Sequence, residues 1–136
     1  MSKVTTERGM TKEKRKFDLE ERLIAFAVRV IAVCDALPKT RVGTHLAGQL
    51  VRCGTSPAHN YGEAQSAESR EDFVHKSKIC LKELRETRIC LLIILNACLI
   101  SPRSKLEPLL DEAYQLIAIF MKSIETAKRN TNRPTS

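Results

Sequence analysis

The chain has 136 residues, enough for one domain with a real core and too few for two ordinary ones. Apolar residues make up 43% and charged residues 29%, which excludes a disordered chain, while the absence of Trp and the presence of just four Phe and two Tyr require an aliphatic core. The net charge of +7 sits at the ends: residues 1–16 hold six basic and two acidic side chains, residues 127–136 hold Lys128, Arg129 and Arg133, and the 14 basic and 14 acidic side chains of 17–126 cancel.

The longest uncharged apolar run, Ile89 to Ile100, has twelve residues, short of the roughly 20 that a membrane-spanning helix needs. Met1 to Lys16 carries charge and lacks the apolar stretch and small-residue cleavage site of a secretory signal, so a cytoplasmic protein is expected. Basic ends suit loose attraction to phosphate backbones or acidic surfaces, and equally suit solubility. The expected layout is a basic N-terminal tail over 1–16, a helical domain over 17–127 and a basic C-terminal tail over 128–136.

Four segments carry helical periodicity and none alternates like a strand, so the class is all-α. The first helix is expected from Asp18, with Glu21 as its capping-box partner, and presents Leu19, Leu23, Phe26, Val30, Val33 and Leu37 on one stripe. Pro38 to Gly43 ends it. The second carries Leu46, Leu50, Cys53, Pro57, Asn60 and Ala64. Pro57 and Gly62 each weaken a helix interior, by about 3 and about 1 kcal/mol relative to Ala, which implies a kink or a close helix contact there.

After the polar link 65–70, Ser69 with Asp72 marks the start of the third helix, whose stripe is Phe73, Ser77, Cys80, Leu84, Thr87, Leu91, Ile94 and Cys98. Ser101-Pro102 breaks the chain. Ser104 and Glu107 are expected to cap the fourth helix, which presents Leu106, Leu110, Ala113, Ile117, Phe120 and Ile124. Short links between long helices predict antiparallel neighbours, hence an up-down-up-down four-helix bundle.

Apolar residues also fall off these stripes: Ile24, Val28 and Ile31 on the first helix, Ile89 to Leu95 around the third, and Leu109, Leu116, Ile119 and Met121 on the fourth. A small bundle covers one face of each helix, so a second apolar face requires another cover, and self-association supplies it most simply.

Catalytic and metal chemistry find little support. Asp72-Phe-Val-His75 is a single carboxylate-x-x-His pair, where a di-metal bundle needs two such pairs and two further inward carboxylates. His45 and His59 lack companions for a ligand set. Cys34, Cys53, Cys80, Cys90 and Cys98 are odd in number, show no Cys-x-x-Cys spacing and fall in apolar helical segments, so they read as reduced core thiols. No phosphate-cradling glycine loop and no nucleophile in a strained turn is present. A non-enzymatic protein without metal or cofactor is expected.

Lys76, Lys78, Lys82, Arg85 and Arg88 form a dense basic run on the third helix, mixed with Glu83 and Glu86. It reads as a solvated face with pairs such as Lys82–Glu86, or as a set of phosphate contacts. Asn60, on an apolar stripe, requires a hydrogen-bond partner if buried, and His75 and Ser77 are the nearest by antiparallel register.

The stretch Ser56-Pro-Ala-His-Asn-Tyr-Gly-Glu-Ala64, then Asp72-Phe-Val-His-Lys76, then Leu81-Lys-Glu-Leu-Arg-Glu-Thr87 closely resembles the bacterial four-helix-bundle family encoded by intervening sequences of large-subunit (23S) ribosomal RNA genes. Two departures are an Ile89-Cys90 pair where an aromatic pair is common, and Cys80 where Ala is common; both bear on subunit packing. The resemblance implies a homopentameric ring of bundles, and marks Asn60, Glu63, His75, Glu83 and Glu86 as a buried polar structural motif. That family is in turn similar to the accessory protein of diversity-generating retroelements, a basic pentamer that binds nucleic acid and partners a reverse transcriptase. By this analogy the expected function is a homo-oligomeric accessory protein that binds RNA or DNA, with a protein-protein scaffold as the alternative.

Overall fold

The computed structural model describes residues 12–131; residues 1–11 and 132–136, where most of both expected tails fall, lie outside the described residues. Four long α-helices, α1 (Lys12–Ala36), α2 (Arg41–Gln65), α3 (Arg70–Asn96) and α4 (Glu107–Thr131), are joined by short links, the last holding a 3-10 turn over Arg103–Lys105. The described residues contain no strand.

The starts of the helices differ in how they are made. At α2 the Thr40 hydroxyl accepts the Gly43 N–H at 3.0 Å, and at α3 the expected Ser69 cap accepts from Asp72 N at 3.0 Å, each satisfying one of the orphan donors of a first turn. Asp18, expected to begin α1, is instead an interior residue, because α1 already runs from Lys12 through a segment rich in Lys, Glu and Arg, all good helix formers. Ser104 does not cap α4 either. It lies in the 3-10 turn, where Lys105 N–H reaches Pro102 O and Leu106 N–H reaches Arg103 O, and the chain winds into α4 without a side-chain cap.

Helix α3 ends in a Schellman arrangement: Cys98 stands at φ 56°, its N–H donates to Leu95 O, and Leu99 N–H donates to Ile94 O. Cys98, expected on the buried stripe, is therefore past the helix and exposed.

Contacts between neighbouring helices share one register. Val30 of α1 meets Gly54 of α2 and Cys34 Sγ donates to Ala47 O; Pro57 O of α2 accepts from Cys80 Sγ of α3 and Glu63 accepts from Lys76; Arg88 of α3 reaches Tyr114 of α4. Between α1 and α2, and between α2 and α3, the residue numbers rise along one helix as they fall along its neighbour.

The core is aliphatic with two phenylalanines. Phe26, Leu50, Leu84, Leu91, Ile94, Leu116 and Phe120 are all less than 2% exposed, and each contributes about 1.5–3 kcal/mol relative to an exposed side chain. Two further stripes differ from expectation. On α2 the position after Pro57 is taken by Tyr61, 6% exposed, which meets Phe120 edge-on at 5.8 Å, while Asn60 turns to half exposure. On α4 Leu109 and Leu116 enter the core and Leu110 and Ile117 flank it, so part of the apolar surplus there is covered within the chain.

Pro57 is itself buried and α2 continues through it. The close helix contact expected near Pro57 and Gly62 is found one turn earlier, at Gly54, whose backbone lies against Val30. Gly62 faces open space.

Candidate nucleic-acid interface

The charged face of α3 divides into cations that are neutralised and cations that are not. Lys76 donates to Glu63 of α2 at 2.6 Å. Lys82 lies 3.6 Å from Glu86, the expected i,i+4 pair, and 3.8 Å from Glu83. Arg52 of α2 completes this cluster at 3.5 Å from Glu83 and 3.6 Å from Glu86. Lys76 and Lys82, expected as phosphate contacts, are thus already engaged by carboxylates.

Arg88 takes a third kind of partner: its guanidinium carbon lies 5.4 Å from the centroid of the Tyr114 ring and Nη1 lies 3.3 Å from the Tyr114 hydroxyl. Lys78 and Arg85 have no carboxylate within ion-pair distance among the described residues. Both line a groove of about 360 Å³ between α3 and α4, together with Leu81, Met121, Glu125 and Lys128. The Lys128 ammonium is close enough to lower the Lys78 pKa below its ordinary value, first by direct contact and then by charge repulsion.

A second, larger groove of about 580 Å³ lies between α2 and α3, lined by Gln49, Arg52, Cys53, Arg85, Ile89 and Ile93. Its polar end holds Arg52, Lys82 and Glu86, each of the two cations also lying within 4 Å of Glu83. The Glu83 side chain is 10% exposed and its Oε1 accepts no hydrogen bond among the described residues.

The polar motif expected to be buried is mostly not. Glu83 is buried, Glu86 is half exposed, and Glu63 and His75 are at the surface, because each of the last three lies on the outer side of its helix, where long polar side chains reach water. Asn60 bonds to Ser56 of its own helix, to Oγ at 2.8 Å and to the carbonyl at 3.1 Å, rather than to His75 or Ser77 as the register suggested. Ser77 is fully buried with its hydroxyl unpartnered among the described residues.

His45 and His59 are exposed, and no group of three His, Cys, Asp or Glu side chains comes together as a ligand set among the described residues. Burial pushes the thiols upward, Cys80 to about 12 and Cys90 to about 11, so both pack as protonated apolar groups. Cys80, one of the two departures from the family pattern, sits wholly inside the chain against Pro57, and Ile89 of the other is 47% exposed.

Apolar side chains remain at the surface along α1 at Ile24, Val28 and Ile31, along α2 at Val42 and Val51, along α3 at Ile89 and Ile93, and on α4 at Met121. Sequence reasoning missed three residues. Arg52 carried no signal beyond its charge. Arg22 holds Glu112 of α4 in a two-pronged contact at 3.0 and 2.9 Å, a pairing across 90 positions that no local pattern encodes. Tyr114 was passed over because it lies off the apolar stripe, yet an exposed aromatic on a polar helix face is itself a signal.

Four helices around an aliphatic core define an all-α protein, with the cations Lys78 and Arg85 between α3 and α4 and exposed apolar side chains on α1 and α3. The model of the 23S rRNA-intervening sequence protein family matches residues 15–122, and the chain belongs to that family. A solved structure similar to it is a protein of unknown function from the S23 ribosomal protein family of Bacteroides thetaiotaomicron, 28% identical, covering 78% of this chain and 97% of its own, with a TM-score of 0.72. No curated protein matches. Among the described residues no helix is long and apolar enough to cross a membrane.

Proposed function

We propose that the chain is a non-enzymatic, cytoplasmic accessory protein, an up-down-up-down bundle that assembles with itself into a pentameric ring and binds nucleic acid. The observation that carries the nucleic-acid reading is the position of Lys78 and Arg85, two cations without carboxylate partners that line one groove with Lys128. Unpaired cations held together favour an anion by releasing its counterions. Self-association is supported by the exposed Ile24, Val28 and Ile31 on one face and Ile89 and Ile93 on another, and the ring size is the one that the family resemblance implies, an analogy of fold.

A protein-binding scaffold is the second reading, favoured by the exact balance of charge over 17–126. Light-scattering mass on a sizing column, with and without a mixed RNA and DNA pool at low and physiological salt, separates the two. A pentamer-sized peak that takes up nucleic acid and releases it as salt rises supports the first reading. A pentamer that ignores nucleic acid supports the scaffold, and a clean monomer overturns self-association. A chain lacking 1–16 and 127–136 that binds as well as the intact one removes the tails from the account.

A further inference from the structure

We infer that the α3–α4 seam is a track for single-stranded nucleic acid, with Tyr114 as the surface on which a base stacks and the Lys78–Lys128 pair and Arg85 as the phosphate contacts. The inference rests on the nucleic-acid reading above and adds the strand type, the face and an aromatic residue.

Two sets of side chains face each other along the seam. On α3 Lys78, Arg85 and Arg88 share one side of the helix, and the ten steps from first to last span about 15 Å. On α4 Tyr114, Met121 and Lys128 recur at seven-residue intervals, so they too share one side, and all three are exposed. Lys128 lines the groove with Lys78, and Met121 with Arg85, and Tyr114 stands against Arg88. The acidic side chain lining the groove, Glu125, is engaged by Arg129 at 3.6 Å.

The seam therefore carries cations at one end, an apolar floor of Leu81 and Met121 in the middle, and at the other end an aromatic ring that stays 49% exposed with a guanidinium over it. Two ammonium groups held side by side favour a phosphate between them. A ring with free surface next to an arginine favours an unpaired base, since every base has a π-face and stacking is indifferent to sequence. A duplex offers phosphates but keeps its base faces stacked inside, so it engages the cations and leaves Tyr114 and the apolar floor unused. The groove thus distinguishes a single strand from a duplex through the aromatic end.

The test uses the full chain and end-labelled 12-nucleotide RNA and DNA, single-stranded and as duplexes, read by fluorescence anisotropy at two salt concentrations. The single strands are expected to bind at least about tenfold more tightly than the duplexes, and Tyr114→Ala to weaken single-strand binding about tenfold or more while Tyr114→Phe retains it. The double variant Lys78→Ala, Lys128→Ala is expected to lower the salt slope by about 1.4, at about 0.7 per lost single-strand phosphate contact. With Trp absent from the chain and Tyr61 buried, quenching of tyrosine emission by the strand reports on Tyr114 and disappears in Tyr114→Phe although affinity persists. Tyr114 is half exposed, so these variants keep their fold, which a far-ultraviolet spectrum verifies. Single-strand binding that is unchanged in both Tyr114→Ala and the double-lysine variant overturns the seam while leaving nucleic-acid binding standing elsewhere, as on the basic ends. Equal affinity for duplex and single strand, or for a polyglutamate chain, overturns the stacking role. No binding of any nucleic acid by the unaltered chain overturns the broader reading, and this one with it.

Discussion

Gly54 of α2 lies so close to Val30 of α1 that a Cβ at 54 would stand 2.6 Å from Val30 Cγ1 and 2.8 Å from Cγ2. Valine has one strongly preferred rotamer in a helix, so it cannot turn aside, and the two backbones approach at this point because Gly54 has no side chain. Gly54→Ala is expected to destabilise the chain by about 1–3 kcal/mol in urea denaturation, and a concurrent Val30→Ala to return part of that loss relative to the sum of the single changes. Gly62→Ala is expected to do the reverse, stabilising by about 1 kcal/mol, because a Cβ there meets nothing within 4 Å and glycine in a helix interior costs backbone entropy. Equal effects at the two glycines would remove Gly54 from its role as the contact point.

The same pair shows what the sequence can and cannot disclose. Val30 was legible as core, since 3/4 spacing on α1 marks a buried face whatever packs against it. Gly54 was not, because a glycine at a close approach and a glycine in open water look alike until the partner helix is placed. The expected stripes of α1 and α3 hold through Leu91 and Ile94, where the period is long and regular, and slip at Asn60 and at Leu110, where two candidates stand one position apart and crossing geometry chooses between them. The basic run on α3 was legible as charge; which of its members remain free depends on Glu63 and Arg52 of α2, and the opposing Lys128 and Tyr114 come from the next helix, 50 positions after Lys78 and 26 after Arg88, separations that local periodicity does not bridge.

Cys98 sits at φ 56°, a left-handed conformation that is unfavourable for a side chain with a Cβ and that glycine adopts freely. Cys98→Gly is expected to stabilise the chain by up to about 1 kcal/mol, read as a higher denaturation midpoint with unchanged slope. A loss of stability would mean that the thiol contributes a contact outweighing its backbone strain. Cys98 is also exposed, whereas Cys53, Cys80 and Cys90 are buried and burial holds the thiols of Cys80 and Cys90 well above their ordinary range. In the native chain a disulfide reagent at pH 8 is therefore expected to label Cys98 first and those three after unfolding.

The Glu63–Lys76 contact at 2.6 Å gives a pH dependence of known sign. The Lys76 ammonium, chiefly by hydrogen bonding and then by charge, lowers the Glu63 pKa from its ordinary 4.5, and Glu63 raises that of Lys76 from 10.5 for the same reasons. A carboxylate whose folded pKa is depressed adds stability that is present above its unfolded value and lost as pH falls through the folded one. The contribution of this contact is thus full between the two ordinary values, declining below 4.5 on the acid side and, through Lys76, above 10.5 on the basic side. A carboxyl titration by NMR is expected to place Glu63 below its ordinary 4.5, and Lys76→Ala to return it to the ordinary value; no change in that variant would show that the contact does not persist in solution.

Arg52 and Glu83 differ sharply in exposure, with side chains 61% and 10% accessible, and their substitutions are expected to be unequal for that reason. Arg52→Met keeps the aliphatic stem and removes the charge, leaving the Glu83 carboxylate with Lys82 at 3.8 Å and an oxygen that already lacks a hydrogen bond. A buried acceptor losing its main cation costs about 1–3 kcal/mol. Glu83→Leu removes the shielded charge itself, while Arg52 stays 61% accessible and keeps Glu86 at 3.6 Å, so no buried charge is left unpaired and the change is expected to be neutral within about 1 kcal/mol or stabilising. Urea denaturation of the two single variants and the double variant gives both numbers and their coupling. If Arg52→Met costs no more than an ordinary surface pair, below about 0.5 kcal/mol, the cluster between α2 and α3 is a solvated charge pattern and Glu83 is satisfied by water rather than by Arg52.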